Sequence, residues 1–208
     1  MDQLDQVRRI LTRDPDSRQA VIQLFDPERD TRGHRDVPCT LNYRFFLRDG
    51  RLHMHTTMRS QDLWLGFPYD VFAATVLQEL LAGWLDVELG EYHHFVDSLH
   101  LYEKHTNAAA NLAVDPPPSP ATPPIATEWE GLATLLSDVV AGCVPLHAAA
   151  PWRVFAAVLA SYRCWTSGDR SQARTTAAAI PDELGRALER WYGHLAGLMA
   201  STAAEAAR

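Results

Sequence analysis

Cys39 and Arg59 are the residues whose types and spacing point most directly to chemistry. Between them lies Arg48-Asp49-Gly50-Arg51, flanked by β-rich runs. An Asp-Gly pair in that setting predicts a tight hairpin, because both central positions accept positive φ. The turn folds strands 39–47 and 52–58 together and makes Cys39 and Arg59 strand neighbours. A guanidinium beside a thiol favours the thiolate, the form that attacks carbon. The competing reading is a thiol buried in a core strand, a frequent fate of free cysteine.

The elements that position this pair fall into three stretches. The first, residues 1–105, opens with Leu4, Val7, Ile10 and Leu11 at helical spacing over 2–12, and Asp14-Pro15 ends that helix. Residues 19–25 read as a strand, the hairpin follows, and 71–85 reads as an apolar helix buried against the sheet. A last strand is expected over 95–102. The second stretch, 106–126, contains PPPSPATPP, which cannot sit in regular structure because each proline lacks an amide donor and fixes φ. It predicts a linker. The third, 127–208, reads as helices throughout, with Thr127 as an N-cap ahead of Glu130 and Pro181 at a first helical position. Trp129, Trp152, Trp165 and Trp191 there suit either a core or an interface.

A chain of 208 residues can bury one sizeable core or two unequal lobes. Its net charge of −7 argues against a nucleic-acid partner, although local arginines can still hold a small phosphate. The 3 cysteines, at 39, 143 and 164, are odd in number and show neither CxxC nor zinc-ligand spacing. No signal peptide opens the sequence and no apolar run would cross a bilayer, so the expectation is a soluble cytoplasmic protein without a membrane partner. His53 and His55 alternate on one strand and His93-His94 are adjacent. Neither pair supplies the three or four ligands zinc requires, so no metal is expected and these read as structural or surface histidines.

Five motifs in order, over about 5–105, resemble the thymidylate synthase family: Asp14-Pro15-Asp16-Ser17-Arg18, Pro38-Cys39, Arg59-Ser60-Gln61-Asp62, Leu65-Gly66-Phe67-Pro68-Tyr69-Asp70 and His100-Leu101-Tyr102. The resemblance implies an α+β fold with a mixed sheet and packed helices, to which 127–208 adds a helical region. It also implies a homodimer and a pyrimidine nucleoside monophosphate as substrate. Cys39 would add at C6 and make C5 a carbon nucleophile toward the one-carbon unit of methylenetetrahydrofolate. Hydride then completes a methyl group, or water a hydroxymethyl group. Arg59 and Ser60 would bind phosphate in cis, with Arg18 reaching across from the partner chain. His100 and Tyr102, expected on one face of a strand, would bind the sugar. Asp62 would contact the pyrimidine and the folate, with Leu65, Gly66 and Tyr69 beside it.

Asp70 stands where thymidylate synthases carry asparagine. An ionised carboxylate only accepts hydrogen bonds, so it suits cytosine, whose exocyclic amino group donates, and opposes the O4 of uracil. This resembles the cytidylate hydroxymethylase branch. Asp70 could equally cap a helix starting at Val71, Arg18 could be a solvated surface charge, and His100 with Tyr102 a core pair.

Several positions depart from the family pattern. Gln19 stands where many members carry a second arginine, Thr40 replaces the histidine after the cysteine, and Asp97-Ser98 replaces Gly-Asp. Met1 falls after the region in which the family carries its catalytic glutamate, a folate-stacking tryptophan and a mobile arginine loop. Two functions are therefore expected alternatives. One is a folate-dependent cytidylate hydroxymethylase or methylase; the other is a noncatalytic, nucleotide-binding homologue that acts through a protein partner.

Overall fold

The computed structural model describes residues 2–33, 36–112, 123–143, 147–181 and 183–206, with backbone alone for 198–206. Two compact units divide the chain, Met1–Pro120 and Ala121–Arg208. Residues 113–122, about half of the expected linker of 106–126, lie outside the described residues, and 106–110 belong to a helix.

The first unit begins with α1 (Gln3–Arg13), where the Asp2 carboxylate accepts from the N–H groups of Leu4 and Asp5. Asp14 closes it, as the following proline requires. Val7 and Leu11, one helical turn apart, are buried. Strand β1 (Val21–Gln23) is shorter than the sequence reading, and a single helical turn, α2 (Pro27–Asp30), follows it. Strands β2 (Thr40–Arg48) and β3 (Arg51–Met58) form the expected hairpin. Asp49 and Gly50 both have positive φ, 51° and 73°, which joins the strands without splaying them. After a two-residue strand, β4 (Gln61–Asp62), the 20-residue helix α3 (Gly66–Leu85) crosses over to β5 (Glu88–Val96). Strand β6 (Leu99–His100) and α4 (Glu103–Ala110) complete the unit.

Sheet order is β1-β2-β3-β5, antiparallel except for the parallel β3–β5 pair, while β4 and β6 form a separate parallel pair. A parallel pair needs a crossover, and α3 supplies it. Ile22, Phe45, Leu47, Leu52 and Met54 from the sheet meet Val7 and Leu11 of α1 and Ala74, Leu81 and Ala82 of α3 in one core. The buried Gln78 side chain donates to the Leu52 carbonyl at 2.8 Å, tying α3 to β3 where an apolar residue would leave that acceptor unused. The architecture is α+β with a mixed sheet.

Three local expectations are corrected. The strand expected over 95–102 is two elements, Glu88–Val96 and Leu99–His100, and Tyr102 sits beyond both as the residue preceding α4. Period-2 burial is weak along β5 because its outward side carries Glu91 and His93. Helix α3 starts at Gly66, five residues before the expected Val71, because Pro68 falls in its first turn, where an amide donor is dispensable. Asp70 therefore lies inside the helix and does not cap it. Cys39 is exposed, so the buried-thiol reading fails.

The second unit contains α5 (Leu132–Val140), α6 (Ala150–Thr166), α7 (Arg170–Ala178) and α8 (Glu183–Ala206). Thr127 caps none of them, since α5 begins after Gly131, and α8 begins two residues beyond Pro181. Trp165 stacks on Tyr192 with centroids 4.3 Å apart. The buried Ser161 hydroxyl donates to the Ala173 carbonyl at 2.7 Å and lies 2.9 Å from the Tyr192 hydroxyl. Trp152 and Trp165 are thus core residues, whereas Trp191 is exposed.

Candidate active site

The hairpin register brings Cys39 and Arg59 together at the end of the sheet remote from the Asp49-Gly50 turn. Thr40 pairs with Met58, and one step further the Arg59 N–H donates to the Cys39 carbonyl at 2.9 Å. The Arg59 guanidinium turns back on the same segment, donating through Nε to the Pro38 carbonyl at 3.0 Å and through Nη2 to Val37 at 2.8 Å. Those bonds pin the backbone just ahead of the thiol. They use two of the five donors a guanidinium has, which leaves others for an anion.

Ser60, half-buried, leads into β4. Parallel pairing with β6 sets Asp62 opposite His100, and the Leu63 N–H donates to the His100 carbonyl at 2.8 Å. The Asp62 carboxylate accepts from the N–H groups of Trp64 at 3.0 Å and Leu65 at 3.2 Å, fixing the loop that enters α3. Burial works against its charge, yet those backbone donors, with His100, hold its carboxyl below the usual carboxylate range. The His100 ring meets the Tyr102 ring edge-on at 5.1 Å, although Tyr102 is not on the strand.

The first turns of α3 bring Leu65, Gly66, Tyr69 and Asp70 to the same end of the sheet, with Leu65 50% and Tyr69 73% exposed. The Asp70 Oδ2 accepts from Gln61 Nε2 at 2.6 Å, and Asp70 Oδ1 has no protein hydrogen bond among the described residues. Gly66 leaves the room for this, since a Cβ there would lie 3.0 Å from Gln61 Nε2. From Gln61 the bonding continues inward. Gln61 Oε1 is 2.7 Å from His94 Nε2, His94 Nδ1 is 2.7 Å from the Tyr92 hydroxyl, and that hydroxyl is 3.0 Å from Thr56 Oγ1. Burial lowers the proton affinity of His94 against the opposing pull of Asp70. Burial, then Asp70, raises the Tyr43 phenol.

Gln61 stands in a motif without a role of its own, and the sequence reads His94 as a structural or surface histidine; the structure sets both in the network at Asp70. Once 88–96 is read as a strand, the Tyr92/His94 alternation opposite Met54 and Thr56 places His94 on the core side of β5. His53 and His93 keep structural or surface roles, the former accepting from the Glu91 N–H at 3.1 Å and the latter bonding Glu91 at 3.1 Å.

Arg18 is not brought to this end. Val21 pairs with Arg44, five residues along β2 from Cys39 and so about 17 Å away, and Arg18 precedes Val21 toward the hairpin turn. It is exposed. Among the described residues, no group of three or more His, Cys, Asp or Glu side chains could hold a metal ion.

These features define an α+β protein with an accessible thiol and a polar, carboxylate-bearing site at one end of a mixed sheet. Residues 1–128 match the family model described as thymidylate synthase, and the chain belongs to the thymidylate synthase family. It is 34% identical over 105 residues to the thymidylate synthase of Bacillus licheniformis, covering 50% of this chain and 37% of the relative. It is 39% identical over 105 residues to the deoxyuridylate hydroxymethyltransferase of Bacillus phage SP01, covering 49% of this chain and 27% of the relative. The solved structure of thermostable thymidylate synthase A from Bacillus subtilis superposes with a TM-score of 0.50 at 31% identity, over 53% of this chain and 39% of that one. The chain thus spans well under half the length of these relatives.

Proposed function

We propose that the first unit binds a pyrimidine nucleoside monophosphate, with cytidylate favoured, and carries out folate-dependent hydroxymethylation or methylation at C5 through addition of the Cys39 thiolate to C6. The observation that carries this reading is the exposed Cys39 thiol at the same sheet end as an Asp70 carboxylate with one oxygen left open.

Addition of sulfur to C6 breaks the C5–C6 double bond and moves its electron pair to C5, which then attacks an electrophile. Arg59 and Ser60 hold the phosphate next to Cys39, and His100 with Tyr102 holds the sugar. Asp70 Oδ1 accepts from the C4 amino group of cytosine, whereas uracil would set a carbonyl oxygen against the carboxylate. The names of the matched relatives include a deoxyuridylate enzyme, so the cytidylate preference rests on Asp70 alone.

The exposed apolar side chains of Leu65 and Tyr69 fit the flat face of a pterin ring, and Asp62 presents a carboxylate beside them. Methylenetetrahydrofolate held there would supply the one-carbon unit. A second copy of the chain completes the site in this reading. It supplies Arg18, which the strand register keeps far from its own Cys39, and it covers the outer sheet face, where Val21 is 40% and Phe95 47% exposed.

Release of tritium from C5-labelled CMP, dCMP, UMP and dUMP, with and without methylenetetrahydrofolate, tests the proposal against Cys39→Ala. Release confined to a cytidylate and abolished in the variant is the expected result. No release from any nucleotide despite measurable cytidylate binding would overturn the enzyme and leave a noncatalytic homologue that works through a protein partner.

A further inference from the structure

We propose that Gln61 and His94 are positioning residues that aim the Asp70 carboxylate, so that the site takes a pyrimidine with a hydrogen-bond donor at C4 and rejects one with a carbonyl there. This rests on the nucleotide reading above and concerns two residues to which that reading gives no role.

The argument is one of direction. A carboxamide has a donor end and an acceptor end, and a carboxylate accepts only. With Gln61 Nε2 at 2.6 Å from Asp70 Oδ2, Oε1 must face His94 Nε2, 2.7 Å away, so His94 must carry its proton on Nε2. Nδ1 is then an acceptor, 2.7 Å from the Tyr92 hydroxyl. The Tyr92 hydroxyl also lies 3.0 Å from Thr56 Oγ1. The side chains of Gln61 on β4 and His94 on β5 thus line up with donor ends toward Asp70.

The opposite direction would place the Gln61 oxygen against the carboxylate, which only a protonated Asp70 could tolerate. The structure shows the first direction, with Gln61 Nε2 toward Asp70. The titratable groups set against Asp70 are Tyr43 from β2 and Tyr92 and His94 from β5; burial keeps both phenols protonated and His94 uncharged. Asp70 therefore holds one fixed oxygen on Gln61 and offers the other as a pure acceptor. An Asp70 released from Gln61 could turn, and the discrimination between bases would fall.

Gln61→Met keeps the length of the side chain and removes both polar ends. The expected result is that the ratio of CMP to UMP affinity, measured by calorimetry on the full chain, falls tenfold or more. Nitrogen-15 NMR of the unsubstituted protein should show His94 as the Nε2–H tautomer. His94→Gln serves as the second variant should Gln61→Met not fold, with the same fall expected. An unchanged ratio in a folded variant, or an Nδ1–H tautomer at His94, would overturn the inference. Failure of the unsubstituted protein to bind any pyrimidine nucleotide would instead overturn the nucleotide reading, and the inference about base choice with it, whatever the His94 tautomer.

Discussion

The Arg59 N–H reaches the Cys39 carbonyl at 2.9 Å while its guanidinium binds the carbonyls of Val37 and Pro38. One residue thus closes the hairpin rung beside the thiol and clamps the strand leading to it. Arg59→Ala is expected to loosen residues 37–39, seen as faster amide exchange there, with the rest of the sheet unchanged. Exchange rates equal to those of the parent would show that the clamp is dispensable.

Asp70→Asn replaces a pure acceptor with a group that both donates and accepts. The expected outcome is a shift of binding preference from cytidylate toward uridylate by at least about 100-fold, within the range seen when a site built for one hydrogen-bond pattern meets another. Competitive titration of the two nucleotides measures it.

Phe45 is fully buried at the centre of the sheet core. Phe45→Ala should cost about 3–5 kcal/mol, from lost burial plus the cavity left behind. Urea unfolding of the full chain, followed by a probe in the first unit, reads that loss.

Ser161→Ala in the second unit removes a buried donor to the Ala173 carbonyl and a partner of the Tyr192 hydroxyl. Two polar groups are then buried without their former partner, at a cost of about 1–3 kcal/mol. Tyr192 stacked on Trp165 gives a fluorescence signal local to that unit.

Acidification supplies a test with a definite sign. Burial lowers the proton affinity of His94 and of His55, the latter also through His93 and Arg44. Unfolded histidine takes up its proton near a pH of about 6.5, where the folded forms do not. The unfolded state therefore binds more protons below that point, and stability is expected to fall as pH drops from neutrality toward 5. His94→Gln should flatten part of that slope in denaturation curves taken across the interval. Asp62 adds a separate decline at lower pH, because its folded carboxyl sits below the usual range and loses its stabilising charge as it protonates.

What the sequence disclosed followed from local rules. The helical spacing of Leu4, Val7 and Leu11 and the Asp49-Gly50 turn each specify structure within a few residues, and α1 and the β2–β3 hairpin stand close to where those signals put them. The start of α3 was hidden because Pro68 reads as a breaker, though a first turn tolerates it. Strand β5 was hidden by its polar and histidine-rich outer side. The pairing of Gln61 with His94 joins residues 33 positions apart on β4 and β5, strands of different sheets, and no periodicity records such a contact. Cys39, Arg59 and Asp70 could be singled out as residue types, but the oxygen by which Asp70 is held depends on that distant partner.

The crossover through α3 also orders the events of folding. The hairpin closes over a two-residue turn and forms on the microsecond scale, whereas β5 can join β3 only after the intervening helix is in place. Gln61 finds His94 only at that late docking step, so the rung beside Cys39 is in place before Asp70 is aimed. A nascent chain therefore closes the rung beside Cys39 early and joins Gln61 to His94 last.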